Sequence, residues 1–458
     1  MQAQSLLAVV LVAGAGRRMW PFAVVRPKAL LPVCGQPNLK RLVGQLRECG
    51  VEDIVIAHDR HSRAALACVA DERITTFAVD GLGGAAPALA AIWRQFPQRP
   101  LLVIPGDCVL ALCDLKDLIS GFSSGAAGAT LVAALGGEDP RRWVCAEVQG
   151  GELRAIVGHP REGQYRWTGL CVLSPEACRY LERAPALLPE VPVGGMPAAE
   201  ADLACAVSLM LSCGLSIHAL VVQGFAVDMD KPWHILQANM AAAQERFASA
   251  DGDEIASSGF ISPAADIDGQ LILDDGAFLG ARVRVRGRAW LQRGAVVDNG
   301  AILEGDIVVG EGARVRHYAH LADAVIGPKC IVDHAAECTG VVFEGAYLYH
   351  YCHVAGVVGT RVDIGAATVC GTLRFDDGDK VHNIGGGREV PPLGSNLAYI
   401  GDYARTGVNA ILMPGVKVGC YSCVGPGVVL YEDLPDRQLV LVKQELERRP
   451  WGPERYGW

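Results

Sequence analysis

The residues best suited to chemistry stand early in the chain. The apolar run Leu6 to Ala13 ends in Gly14-Ala15-Gly16-Arg17-Arg18-Met19, and Arg26-Pro27-Lys28 follows shortly after. Glycines in such a turn let backbone N–H groups approach phosphate oxygens, while arginine and lysine supply positive charge. The turn lacks the third glycine of the dinucleotide fingerprint and the Gly-Lys-Ser/Thr of a P-loop, so neither of those readings fits. Asp107 closes the apolar stretch Leu101-Leu-Val-Ile-Pro-Gly, which places a carboxylate at the carboxyl edge of a parallel sheet, where ligands of such sheets bind. Asp228, after Ala226-Val227, offers a second oxygen ligand. Mg²⁺ is held by one or two carboxylates together with waters and substrate phosphates, so this pair suits it. Alone, either aspartate reads equally well as a turn or cap residue. With Lys28 beside them they read as a metal and phosphate site.

The elements that must position these groups alternate strand-like apolar runs with helical stretches: Leu6 to Ala13, Leu39 to Cys49, Ile54 to Ala57, Ala85 to Trp93 and Leu101 to Ile104. That alternation predicts a mainly parallel sheet covered by helices. Pro232 opens a closing helix toward Phe247, so the first domain is set at 1–247, with a linker at 248–260. A different period then takes over. Ile267, Leu273, Leu279, Val285, Leu291, Val297, Leu303, Val309, Val315 and Leu321 fall on every sixth residue, and Ala265, Leu271, Ala277, Val283, Ala289, Ala295, Ala301, Ile307, Ala313 and Ala319 precede them by two. A six-residue repeat gives one short strand and one turn per face of a triangular coil, with each aliphatic residue stacked on the next. The repeat predicts a parallel β-helix over 261–430. Beyond it, 431–458 reads as a capping tail with a short helix over Lys443 to Arg449. Aliphatic outward positions such as Val296 and Val308 would permit a trimer.

Composition excludes several classes. The 458 residues carry a net charge of −9, which leaves no basic footprint for a nucleic-acid polymer. No run reaches the roughly 20 apolar residues needed to cross a bilayer, and Leu6 to Ala13, with no basic region before it, reads as a buried strand and not a signal peptide. Sixteen cysteines are scattered singly, as in a reducing cytoplasm; Cys420 and Cys423 read as small buried residues. His317, His334 and His353 recur at about one coil of eighteen residues. Such a ladder is either solvated and hydrogen-bonded or, across a trimer interface, a zinc site.

Leu11-Val-Ala-Gly-Ala-Gly-Arg-Arg-Met19, Pro27-Lys28-Ala-Leu-Leu-Pro-Val33, Gly35-Gln-Pro37, Leu101-Leu-Val-Ile-Pro-Gly-Asp107 and Val227-Asp228 together resemble the signature of sugar-1-phosphate nucleotidylyltransferases. With Gly365-Ala-Ala-Thr368, Leu373-Arg-Phe-Asp-Asp377, Thr406-Gly-Val-Asn409 and Pro414-Gly415, the chain resembles the archaeal-type bifunctional members that also carry an acetyltransferase. The resemblance implies a Rossmann-like mixed-sheet α/β domain followed by a left-handed parallel β-helix. It implies a sugar 1-phosphate attacking a nucleoside triphosphate, with UTP as the nucleotide and a UDP-sugar such as UDP-N-acetylglucosamine as product. Arg18 and Lys28 become catalytic; Val12, Ala13, Gly14, Gly16, Leu82, Gly83 and Gly84 bind the nucleotide; Gly106, His159, Thr168 and Gly169 face the sugar; Asp107 and Asp228 hold Mg²⁺. A homotrimer is implied, and acetyl-CoA as a second substrate. The family's histidine base falls on Tyr349 when counted back from Gly365 without a gap, and on His350 with one deletion; His350 is taken as the base.

The chain departs from the family at telling places. The base-reading Leu-Gly-Thr-Ala is Leu82-Gly-Gly-Ala85, Glu-Lys-Pro is Gly158-His-Pro160, and the asparagine before Thr-Gly is Trp167. In the β-helix the phosphate-binding lysine is Thr339, and an acceptor-binding asparagine is Thr372. Losing sugar-binding hydrogen-bond groups can change discrimination by about 10⁴ to 10⁵. Three readings follow: a nucleotidylyltransferase with a possible second activity, a binding protein without turnover, and a monofunctional thymidylyl- or uridylyltransferase on an architectural β-helix.

Overall fold

A computed structural model describes residues 6–14, 16–69, 73–122, 126–136, 138–158, 162–184, 202–385 and 387–453. The first domain is built on a nine-stranded mixed sheet. Ile74–Ala78, Ile54–His58, Leu7–Leu11 and Leu101–Pro105 lie side by side and parallel. Tyr165–Leu173 then runs antiparallel to both Leu101–Pro105 and Gly128–Ala134. The Leu7–Leu11 strand is buried on both faces, which is why it reads as one continuous apolar run. Helices Asn38–Glu48, Ala85–Trp93, Leu112–Gly121 and Leu203–Ser212 accompany the sheet. Because the four parallel strands share one direction, the loops that follow them meet at a single edge. Among the described residues no helix is long and apolar enough to cross a membrane.

The closing helix, His234–Ser249, runs two residues past Phe247, and the first coil strand, Glu254–Ile255, already pairs with the next coil inside the segment expected to be a linker. From there Asp266, Arg284, Ile302 and His320 stack in register, one per coil. The interior is filled by both expected series; from Leu271 to Leu321 their members are buried, while Ile267, on the terminal coil, is 36% exposed. The next steps, His320 to Glu337 to His353, shorten the coil, which is why the six-residue period is lost there although the stacking continues. Cys330, Cys338, Cys352 and Cys370 take aliphatic places in that stretch of the core. Glycine is needed where the coils bend: at Gly269, φ is +148° and a Cβ would lie 1.7 Å from the Gly287 carbonyl oxygen.

Three expectations are corrected here. Coil pairing reaches Leu439–Val440, beyond the expected end at 430. Lys443 to Arg449 is not helical and is exposed: this short charged stretch has no apolar face to bury, and isolated helices shorter than about 12 residues are marginal in water. Val308 is not a free outer face. It is wholly buried with Val325, Val341 and Val357 in a core shared with Phe22, Trp233, Leu236 and Phe247, so the outer wall of the β-helix packs on the first domain.

Candidate functional site

At the edge where the parallel strands end, each loop brings one piece of the site. Val12, Ala13 and Gly14 follow Leu7–Leu11, and the Gly14 N–H donates to Asp59 Oδ2 at 3.1 Å in the loop after the neighbouring strand. Leu82, Gly83 and Gly84 lead into the Ala85–Trp93 helix, beyond the edge strand Ile74–Ala78. Gly16, at φ +59°, starts the short turn Arg17–Met19; a Cβ there would lie 2.8 Å from Cγ of Lys28, so the glycine makes room for the lysine stem. Gly106 follows Leu101–Pro105 so closely against the first strand that a Cβ would stand 2.7 Å from Val12. Thr168 and Gly169 sit in the bulge of Tyr165–Leu173, with Gly169 at φ +78° against Pro105.

Lys28 is the centre of the charged cluster. Its Nζ lies 2.7 Å from Asp107 Oδ2 and 3.4 Å from Asp230 Oδ1, and Arg18 Nη2 lies 3.0 Å from the same Asp230 oxygen. Asp228 reaches this place by local pairing: Ala226–Asp228 runs antiparallel to Cys108–Leu110, so Asp228 stands opposite Cys108, and the Met229 N–H donates to the Asp107 carbonyl at 3.1 Å. Burial disfavours the charge on Lys28, but Asp107, Asp228 and Asp230 outweigh it and its pKa lies above the ordinary lysine value. The opposite holds at Asp228, where burial and then the neighbouring Asp107 carboxylate push the pKa up against the pull of Lys28. Carboxylates held close together in this way are relieved by a further cation. The donors, Asp107 and Asp228, are hard oxygens, which fits Mg²⁺. Among the described residues no group of three or more His, Cys, Asp or Glu is placed to hold a metal by itself, so substrate phosphates would have to complete the shell.

Beside Asp228 a cavity of about 350 Å³ is lined by Glu138, Trp143, Arg166 and His234, among others. Arg166 lies 4.8 Å over the Trp143 ring and donates to the Ala226 carbonyl. His234 accepts the Asp230 N–H on Nδ1 at 3.2 Å, and burial lowers its pKa to about 3, so the ring is neutral.

Residues 8–187 match the family model described as the MobA-like NTP transferase domain. The first domain is a nucleotidyltransferase domain. The likeness extends over both halves of the chain. Over 435 residues it is 24% identical to the bifunctional sugar-1-phosphate nucleotidylyltransferase/acetyltransferase of Sulfurisphaera tokodaii, covering 93% of this chain and 98% of that one. Over 462 residues it is 23% identical to the bifunctional protein GlmU of Methanococcus vannielii, covering 96% and 98%. A solved putative glucose-1-phosphate thymidylyltransferase from Bacillus anthracis aligns with 52% of this chain and 95% of its own, at 21% identity and a TM-score of 0.45. The resemblance read from the motifs is borne out.

In this nucleotidyltransferase domain Arg18, Lys28, Asp107 and Asp228 face one cluster, and Gly14, Gly16, Gly106 and Gly169 border it. His159 lies outside the described residues. Arg26, read with Lys28 as phosphate charge, instead pairs with the buried Asp402 of the β-helix and donates to Thr360 Oγ1 at 2.9 Å. Trp167, in place of the family's asparagine, turns its indole N–H to Thr130 Oγ1 at 2.9 Å and packs against the core. Asp230 was missed: the strand ends at Asp228, and a tight turn in which the Asp230 N–H donates to the Asp228 carbonyl at 2.9 Å brings the second carboxylate to Lys28 and Arg18. His350 stands apart, exposed at a coil corner, its ring edge-on to Tyr351 at 5.4 Å. The histidine ladder also differs from expectation. Ala335 N–H donates to the His317 carbonyl, Tyr351 to that of His334 and Ala367 to that of His350, so His317, His334 and His350 share one corner. His353 lies on the strand His353–Val358 instead, because the coils shorten between them.

Proposed function

We propose that this nucleotidyltransferase joins a sugar 1-phosphate to a nucleoside triphosphate, with UTP as the nucleotide and a UDP-sugar such as UDP-N-acetylglucosamine as product. The observation that carries the reading is the convergence of Arg18, Lys28, Asp107 and Asp228 at the rim where the glycine turn ends. An ionised oxygen of the sugar phosphate attacks the α-phosphorus, the bond to the β-phosphate oxygen breaks, and pyrophosphate leaves in line. The nucleophile is already an anion, so no side chain has to take a proton. Lys28 and Arg18 are cations fixed in advance by carboxylates, and they stabilise charge that grows on the phosphates without reorganising. The backbone of Gly14 and Gly16 admits the triphosphate, and Leu82, Gly83 and Gly84 border the base. Gly106, Thr168, Gly169 and His159 are assigned to the sugar. Asp107 and Asp228 would hold Mg²⁺, which orients and neutralises the phosphates when bound.

Pyrophosphate release across nucleoside triphosphates and sugar 1-phosphates tests the reading: release from UTP supports it, and UTP binding with no pyrophosphate released in the presence of any sugar 1-phosphate overturns it. A binding-only protein is the less favoured reading, since the relatives are named as enzymes over both domains. The sixteen free cysteines support a cytoplasmic setting.

Acetyl transfer from acetyl-CoA to an amino sugar phosphate belongs to the same proposal, with His350 as base. In one chain that ring is open to water, so a homotrimer is proposed to supply the missing wall. Thiol release from acetyl-CoA with glucosamine 1-phosphate, measured together with the mass in solution, tests both parts.

A further inference from the structure

Between Cys370 and Ala398 the chain leaves the coil before the stacking resumes. Within this excursion His382–Ile384 and Gly387–Glu389 pair as an antiparallel hairpin, and the hairpin rests on the first domain. Glu389 Oε2 accepts from Lys231 Nζ at 2.6 Å and from Arg142 Nη1 at 3.0 Å. Gly385, at φ +55°, lies over the stem of Arg18, where a Cβ would be 3.2 Å from its Cγ. The buried His382 ring stands 5.6 Å from that of Trp233, and Ile384 enters the interdomain core.

These contacts fall on one short segment, Asp228-Met-Asp-Lys-Pro-Trp-His234. One side of it carries Asp228 and Asp230 to Lys28 and Arg18; the other sends Lys231 and Trp233 to the hairpin. Lys231 is 5% exposed, with Nζ 5.9 Å from the centres of both the Trp143 and Trp233 rings. An ammonium so enclosed requires a carboxylate partner, and Glu389 meets it. A second carboxylate within the influence of Lys231 is Glu138, across the cavity beside Asp228. Without Glu389, Lys231 must turn toward Glu138 or out to water, and either move pulls on the backbone between Asp230 and Trp233. We infer that Glu389 of the β-helix is a positioning residue for the phosphate site of the first domain: it holds Lys231 and thereby fixes the segment bearing Asp228 and Asp230, so the site is complete only with the hairpin in place. The inference rests on the nucleotidyl transfer proposed above, since it assigns the segment a catalytic purpose.

The test uses the full chain and its Glu389→Ala and Glu389→Gln variants, with Glu311→Gln, a member of the distant exposed pair with Arg293, as control. Amide hydrogen exchange is followed over 226–236, and pyrophosphate release is measured with UTP and a panel of sugar 1-phosphates. Glu389→Ala is expected to exchange about tenfold faster in that segment alone, and to lose about 10- to 100-fold in kcat with a smaller change in KM for UTP, the effect of a small misplacement of catalytic groups. Glu389→Gln, which keeps an acceptor but no charge, should fall between Glu389→Ala and the parent, and Glu311→Gln should match the parent. Unchanged exchange over 226–236, loosening spread evenly over both domains, or parental kcat in Glu389→Ala overturns the inference. If Glu389→Ala does not fold, Glu389→Gln is read by the same criteria. Local loosening in a chain whose parent releases no pyrophosphate supports the positioning role and removes the transferase reading instead.

Discussion

Two groups of titratable side chains invite comparison. At the rim of the first sheet Lys28 lies among Asp107, Asp228 and Asp230, partly withdrawn from water, with a cavity alongside. On the β-helix, His317, His334 and His350 stand at one corner of successive coils, with Tyr318 and Tyr351 beside them; His334 Nε2 and the Tyr351 hydroxyl are 3.2 Å apart. The histidines are the more eye-catching series, yet Asp228 is pushed up by burial and by the Asp107 carboxylate, whereas His317 and His350 stand exposed. Convergence of charge in a low-dielectric notch distinguishes the two places, because only there do electrostatic forces act at strength.

The comparison breaks most sharply at Lys28. Lys28→Ala should lower turnover by about 10² to 10³, the cost of losing one preorganised transition-state donor. Steady-state pyrophosphate release measures it, and an unchanged kcat would take Lys28 out of the mechanism. A smaller effect separates site from scaffold. Ile307 is fully buried inside the β-helix, and Ile307→Val should cost about 0.5 to 1.5 kcal/mol of stability while leaving pyrophosphate release untouched. Denaturant unfolding beside the same assay checks this, and a matching loss of turnover would mean that the coil interior is coupled to the site.

Much of this division was legible in the chain itself. The six-residue period from Ile267 to Leu321 carried the β-helix because each interior side chain stacks on its own repeat, a local rule that needs no tertiary knowledge. It faded after Leu321 because the coils shorten and cysteines enter the core, and it misplaced both ends because edge coils are less strictly apolar. Asp107 and Asp228 were readable as strand-end residues, and Lys28 from the Arg26-Pro27-Lys28 motif that carries the resemblance. Arg26 was not: it was read with Lys28 as charge for phosphate, but its partner, Asp402, lies in the other domain. Glu389 was equally hidden, since it stands in an excursion that obeys neither period and acquires meaning only where the hairpin meets Lys231.

The smallest expected effect is on the histidine corner. The His350 ring is exposed and touches Tyr351 edge-on, so removing it deletes little buried surface and leaves no enclosed polar group without a partner. His350→Ala should therefore change unfolding free energy by no more than about 0.5 kcal/mol and leave nucleotidyl transfer at the parental rate. If His350 is the base of the proposed acetyl transfer, thiol release from acetyl-CoA alone should fall, by about 10² to 10⁴, the range for a positioned proton acceptor. Loss of pyrophosphate release in the same variant would contradict the separation of the two sites. Equal thiol release in parent and variant would leave the corner as a solvated ladder, and the β-helix as the support that carries Glu389 to the first domain.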